Sequence, residues 1–104
     1  MNTKAIGPNL IVLFLVSACV TTLTPKAAEV RIVESKSQYN CTFVSTLSAF
    51  NSTGIDPGQQ SENAMNELRN KAAQAGMNGV RIIAVDTARG ATVTAEGLRC
   101  EFED

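Results

Sequence analysis

The chain has 104 residues, with 9 Lys and Arg against 10 Asp and Glu, three cysteines and no histidine. This near-neutral balance excludes the clustered positive charge that nucleic-acid binding requires. Without histidine, no Ser–His or Cys–His nucleophile pair can form, and the carboxylates are few and scattered. We therefore expect no enzyme, no cofactor and no metal site.

The N-terminal residues have the pattern of a bacterial lipoprotein signal peptide. Lys4 supplies a positive charge, residues 10–16 are all apolar, and residues 15–19 read Leu-Val-Ser-Ala-Cys. Secretory signals have an apolar run of roughly 7–15 residues, whereas a membrane-spanning helix needs about 20. We predict a signal peptide over residues 1–18, cleavage between Ala18 and Cys19, and lipid attachment to Cys19. The alternative is an ordinary cleaved signal in which Cys19 is incidental.

Cleavage at this position would divide the chain into a lipidated tether and one domain. We expect residues 19–28 to form the tether, at most about 30 Å long, and residues 29–104 to form a single periplasmic domain. The mature chain has no polybasic patch for lipid headgroups, so we expect the membrane to be its partner through the lipid on Cys19. Val20 stands where an aspartate commonly retains a lipoprotein in the inner membrane, and this predicts the outer membrane, facing the periplasm.

Two strands are predicted before the helix, over residues 29–34 and 41–50. In the first strand, Val30 and Ile32 share one face. In the second strand, the period of two places four residues on the core face: Cys41, Phe43, Leu47 and Ala49.

The clearest element is a helix that follows a loop over residues 51–60. Ser61 suits the N-cap, and Gly76 suits the left-handed position after the last turn. The apolar stripe of this helix consists of Ala64, Met65, Leu68, Ala72 and Ala75. Its polar stripe consists of Asn63, Glu67, Asn70 and Gln74.

Two further strands follow the helix. Residues 80–85 are almost continuously apolar, which is typical of a central strand. Residues 92–102 form the last strand, and a bulge at Gly97 would place the apolar residues on both sides of it on the core face. The elements then run β-β-α-β-β. We predict an α+β fold in which one helix packs on a four-stranded sheet.

The three cysteines indicate one disulfide. Lipidation of Cys19 leaves Cys41 and Cys100, which an oxidising periplasm would join. The two are 59 positions apart, and closing so long a loop stabilises a small domain by roughly 4 kcal/mol on the chain-entropy model. The alternative is a redox-active or metal-binding pair, although the chain has no Cys-x-x-Cys spacing.

Three other side chains have competing interpretations. Asn78 is predicted to hydrogen-bond the turn between the helix and the next strand. Asn70 is predicted to have a similar structural role, with contact to a partner as the alternative. Phe50 is predicted to be a core residue at the end of the sheet rather than an anchor for a partner.

Five blocks of the chain resemble a family of bacterial lipoproteins, the domain of unknown function 4156. They are residues 23–30 (Leu-Thr-Pro-Lys-Ala-Ala-Glu-Val), Cys41, residues 68–73, residues 76–80 and residues 97–100. The family is in turn similar to the Rcs stress-sensor lipoprotein, an outer-membrane α/β domain that contains disulfides. A lipid anchor, a disulfide-bonded domain and no catalytic arrangement predict a non-catalytic module of the cell envelope that binds an envelope protein partner, and the resemblance implies that it senses envelope stress. The alternative is a module that binds a small ligand or a metal.

Overall fold

The computed structural model describes residues 20–102, which form one helix and one mixed sheet. The predicted order β-β-α-β-β and the α+β class are confirmed. The elements are β1 (Arg31–Ile32), β2 (Thr42–Asn51), α1 (Pro57–Gln74), β3 (Gly79–Asp86) and β4 (Ala91–Arg99). Short 3-10 helices at Ala27–Glu29 and Lys36–Tyr39 flank β1.

The four strands lie in the order β1-β3-β4-β2. β1 is parallel to β3, and the other two pairings are antiparallel. The apolar strand β3 lies between β1 and β4, as its sequence predicts, but β1 pairs only with Gly79 and Val80, and Ile83 and Val85 are half-exposed. Because Thr42 pairs with Arg99, the residues just beyond them in β2 and β4 meet at the same end of the sheet. This register explains the Cys41–Cys100 disulfide, which confirms the predicted pairing.

The helix begins five residues earlier than predicted. Its N-cap is Asp56, whose Oδ1 accepts a hydrogen bond from the Gln59 backbone N–H at 2.8 Å. Pro57 occupies the first turn, where its missing N–H costs no helical hydrogen bond. The prediction of Ser61 as the N-cap is therefore wrong. The prediction for Gly76 is confirmed, since this residue has φ of +80° after the helix.

The helix packs its small apolar side chains on one face of the sheet. Ala64, Leu68 and Ala72 are fully buried in this main core. Ala73 joins them, whereas Ala75, predicted in the stripe, is exposed. The sheet residues of the main core are Ala49, Val80, Ala91, Val93 and Ala95.

A second, smaller core lies on the opposite face of the sheet. It contains Val33, Leu98 and Cys100, against which Tyr39 and Phe102 pack. Strand β4 is regular through Gly97, so strict alternation carries Val93 and Leu98 to opposite faces. The predicted bulge at Gly97 is therefore wrong, and so is the single core face that it implied.

The register shifts lie instead in the two strands beside β4. One falls between Phe43 and Ser45 in β2, and the other between Ile82 and Ala84 in β3. The extra residue in β2 reverses the side-chain parity before it. Phe43 consequently lies on the face opposite the helix, half-exposed, rather than in the main core as predicted.

The first strand is also arranged differently from its prediction. Val30 is buried in the main core, but Ile32 is half-exposed and does not share its environment. Val33 is buried in the second core. β1 has only two residues and lies at the sheet edge. Val30, just before it, can therefore lie in the main core while Val33, just after it, lies in the second core.

The domain has two ends along its strands. One end is formed by Val20, residues 51–56, the start of the helix and residues 86–91 between β3 and β4. We call this the proximal end. The distal end carries the Cys41–Cys100 disulfide.

Candidate functional site

The most specific polar arrangement lies between the helix and the N-terminal segment. Asn63, Asn66 and Asn70 follow one another at spacings of three and four, so they line one face of the helix. We call these three residues the asparagine ladder. A side-chain amide offers one donor and one acceptor group, as a peptide bond does, and can therefore pair with an extended backbone.

The ladder holds the backbone of residues 21–24 through four hydrogen bonds. The Thr21 N–H donates to Asn63 Oδ1 at 3.1 Å, and Asn66 Nδ2 donates to the Thr21 carbonyl at 3.1 Å. Asn70 does both, since its Nδ2 donates to the Thr22 carbonyl at 3.0 Å and its Oδ1 accepts from the Thr24 N–H at 3.0 Å. The structural role predicted for Asn70 is thus confirmed.

Further contacts fix the same segment downstream of the ladder. Arg69 donates to the Val30 carbonyl at 2.9 Å and to the Ala28 carbonyl at 3.2 Å. Leu23 packs against the main core, and Ala27 is fully buried. Residues 20–28 therefore do not form the extended tether that the sequence suggested, because polar residues of the helix pair with their backbone.

The ladder is also joined to the loop at the proximal end. Asn63 Nδ2 donates to Asn51 Oδ1 at 3.3 Å, and the same oxygen accepts from the Gly54 N–H at 3.2 Å. Asn63 is only 1% exposed, although the sequence placed it in the polar stripe. The N-terminal segment, the helix and the loop after β2 consequently form one hydrogen-bonded unit.

At the distal end, the side chain of Asn78 pairs with the backbone of Cys100 as a neighbouring strand would. Its Nδ2 donates to the Cys100 carbonyl at 2.8 Å, and its Oδ1 accepts from the Cys100 N–H at 2.7 Å. The sequence predicted that Asn78 hydrogen-bonds within the turn before β3. That prediction is wrong, because the partner of its side chain is the backbone of Cys100. The reciprocal pair fixes the backbone of the cysteine that forms the disulfide.

The face of the sheet opposite the helix is covered by the second core at its distal end and is open beyond it. Its central group is Glu96, whose Oε1 accepts from Arg81 Nε at 2.8 Å, with Lys36 Nζ at 3.7 Å from Oε2. The hydrogen bond from Arg81 holds the pKa of Glu96 below its ordinary value of 4.5, and the charges of Arg81 and Lys36 act in the same direction. Hydroxyl side chains share this face with the ion pair: Thr46, Ser48, Thr92 and Thr94. We call these residues with Glu96 and Arg81 the open face.

Two half-exposed phenylalanines lie at opposite ends of the open face. Phe43 pairs with Leu98, and Lys36 Nζ is 6.0 Å from its ring centroid. Phe50 pairs with Thr92 and is 53% exposed, so its assignment to the core is wrong. The ring of Phe50 lies over Gly90, at a turn where φ is +84°. The two rings share a face only because of the extra residue in β2.

The cavities of the described residues are open to solvent. One of about 210 Å³ is lined by groups that include Lys26, Glu29 and Arg99. A larger one of about 620 Å³ lies beside Arg31 and Phe102. Across residues 20–102, no group of three or more His, Cys, Asp or Glu side chains is placed to hold a metal ion.

The predicted site residues fall into two groups. Ala18 and Cys19, the predicted cleavage and lipidation positions, lie outside the described residues. Cys41 and Cys100 are joined to each other. The asparagine ladder is a feature that sequence reasoning missed, although three asparagines at helical spacing are visible in the sequence.

No helix within residues 20–102 has the length and apolar character needed to cross a membrane.

One family model, described as a domain of unknown function (DUF4156), matches residues 21–98. The match begins at the residue where the hydrogen bonds to the ladder begin and ends in β4. No curated protein and no solved structure matches the chain.

Proposed function

The chain belongs to the DUF4156 family, and we propose that it is a lipoprotein of the cell envelope, anchored by a lipid on Cys19. Cleavage follows Ala18, and the domain faces the periplasm from the outer membrane. The observation that carries this proposal is the division of the three cysteines. Two of them form the disulfide, and the third ends the Leu-Val-Ser-Ala-Cys signal two residues before Thr21, the first residue bound to the ladder.

The disulfide supports an extracytoplasmic location. Disulfides persist in oxidising compartments such as the periplasm and are rare in the cytosol. Cys41 and Cys100 do not belong to a Cys-x-x-Cys motif, and both contribute to the second core. A structural disulfide of this kind is consistent with a small exported domain.

We infer that the domain acts by binding another envelope component, without catalysis. The open face supports this inference because it presents an ion pair, a row of hydroxyl groups and a half-exposed phenylalanine ring that the helix does not cover. We further propose a role in sensing envelope stress, on the resemblance to the Rcs stress-sensor lipoprotein that the sequence suggests.

Photo-crosslinking in living cells tests the binding role. A photoreactive amino acid would replace Thr46 or Thr94 on the open face, and Gln74, exposed on the helix, would be the matched control position. The proposal predicts a discrete adduct from the open-face positions and none from position 74.

The opposite results would contradict the binding role. Adducts of equal yield from all three positions, or none from a lipidated and oxidised protein, would exclude the open face as the contact. A saturable thermal shift with a metal or an envelope metabolite would then favour a ligand-binding module.

A further inference from the structure

Large apolar side chains are exposed at the end of the domain where the chain enters it. Ile55 is 82% exposed, Phe50 53%, Val85 50% and Val20 47%. Phe50 is the second-last residue of β2, Val85 is the second-last residue of β3, and Ile55 lies in the loop before the helix. Val20 and Ile55 belong to the proximal end, and Phe50 and Val85 each lie one residue before it, in β2 and β3.

The hydrogen bonds of the N-terminal segment bring this end close to the predicted anchor. The Thr21 N–H is bonded to Asn63, and Cys19 is only two residues earlier in the sequence. Two residues of chain reach at most about 7 Å. A lipid on Cys19 would therefore hold the proximal end against the headgroups, whereas a free segment of residues 19–28 would let the domain move away and turn.

We propose that the proximal end rests on the lipid bilayer, with Ile55, Phe50 and Val85 in contact with its interface. This inference rests on the proposed function, because it takes Cys19 to be lipidated. Exposed apolar side chains close to a membrane gain free energy when they enter the interfacial region. The domain then has a fixed orientation, with the disulfide pointing away from the bilayer and the open face perpendicular to it.

The charges at the proximal end indicate which lipids it contacts. Asp56 and Asp86 are opposed by Arg89, so the local balance is slightly negative. An anionic surface attracts clustered Lys and Arg, which this end lacks. The contact therefore depends on apolar insertion and does not require anionic lipids.

The chain contains no tryptophan, so a single introduced tryptophan reports its own position. The lipidated full-length product would be purified from membranes and reconstituted into phosphatidylcholine vesicles whose acyl chains carry bromine, a contact quencher. Ile55→Trp and Val85→Trp place the probe at the proximal end. Val44→Trp is the matched control, since Val44 is also half-exposed and apolar but lies six residues from Phe50 along β2, or about 20 Å.

The proposal predicts loss of emission for Ile55→Trp and Val85→Trp in brominated vesicles, while Val44→Trp keeps its emission. Adding anionic phosphatidylglycerol should leave these results unchanged. Equal quenching at all three positions, or quenching at none of them, in protein that floats with the vesicles would overturn the proposal and leave the anchor intact. Protein that does not associate with membranes at all would overturn the anchor and this inference with it.

Discussion

At position 79, the disulfide occupies the space that a side chain larger than that of glycine would need. A Cβ at this position would lie 2.9 Å from Cys100 Sγ and 3.5 Å from the Phe102 ring. A sulfur held in a disulfide cannot move away as the end of a flexible side chain can. The close approach therefore couples β3 to the second core.

We predict that Gly79→Ala lowers the free energy of unfolding by about 1–3 kcal/mol, as overpacking does in other cores. Urea denaturation of the oxidised protein measures the change. Gly58→Ala is the matched control, because the nearest atom to its new Cβ would be 3.4 Å away, within the first turn of the helix. If the two variants are equally stable, the close contact at Gly79 is not a constraint.

Glu96 makes stability depend on pH at the acid end. Its pKa is lowered in the folded protein, chiefly by the hydrogen bond from Arg81. A lowered pKa contributes stability above the ordinary value of 4.5, and this contribution is lost as the pH falls through the folded value.

Glu96→Gln should therefore be less stable than the natural protein at pH 7, and the difference should shrink below pH 4.5. Thermal unfolding from pH 7 to pH 3 measures it. Glu62→Gln, which removes an exposed carboxylate from the helix, controls for the change in net charge. A difference between Glu96→Gln and the natural protein that grows as the pH falls would contradict the assignment.

The helix both forms the main core and binds the N-terminal segment. The combined variant Asn66→Ala and Asn70→Ala removes three hydrogen bonds to residues 21–24. At about 0.5–1.5 kcal/mol for each bond, we predict a loss of stability of about 1.5–4.5 kcal/mol. The amides of residues 21–24 should also exchange with solvent faster.

Hydrogen exchange followed by mass spectrometry measures the release of this segment. Gln74→Ala, at an exposed position of the same helix, should leave the exchange of residues 21–24 unchanged. If the double variant keeps the protection of the natural protein, the main core alone holds the segment.

The disulfide joins the distal ends of β2 and β4, the two strands that contain most of the open-face residues. Replacing both Cys41 and Cys100 by Ala should lower the free energy of unfolding by about 4 kcal/mol, because the unfolded chain regains the entropy of a 59-residue separation. Urea denaturation under oxidising conditions tests this. The natural protein after reduction is the control and should match the double variant, and an unchanged midpoint would contradict the chain-entropy account.

The order of elements could be predicted from sequence because each has a distinct pattern. Three patterns can be recognised without knowledge of the rest of the fold. They are the apolar run of β3, the helical stripe around Leu68 and the pair of cysteines. The face on which Phe43 lies could not be predicted, because an extra residue in β2 reverses the alternation. The ladder was also missed, since an asparagine on a helix has the same sequence pattern whether it meets water or backbone.

At the scale of the whole molecule, the structure leaves no free spacer between the predicted anchor and the domain. Residues 21–24 belong to the folded unit, and the lipid on Cys19 would fix the domain at the membrane surface. With the proposed lipid on Cys19, a partner would reach the open face from the side or approach the distal end from the periplasm. A domain on a long flexible linker would have neither restriction.

The most direct test of this account is the mass of the N-terminal peptide of the protein recovered from bacterial membranes. We predict a peptide that begins at Cys19 and carries a diacylglycerol group on its thiol, and we expect Cys19→Ala to be released from the membrane fraction. A mature protein that begins elsewhere, or an unmodified Cys19 in membrane-bound protein, would contradict it.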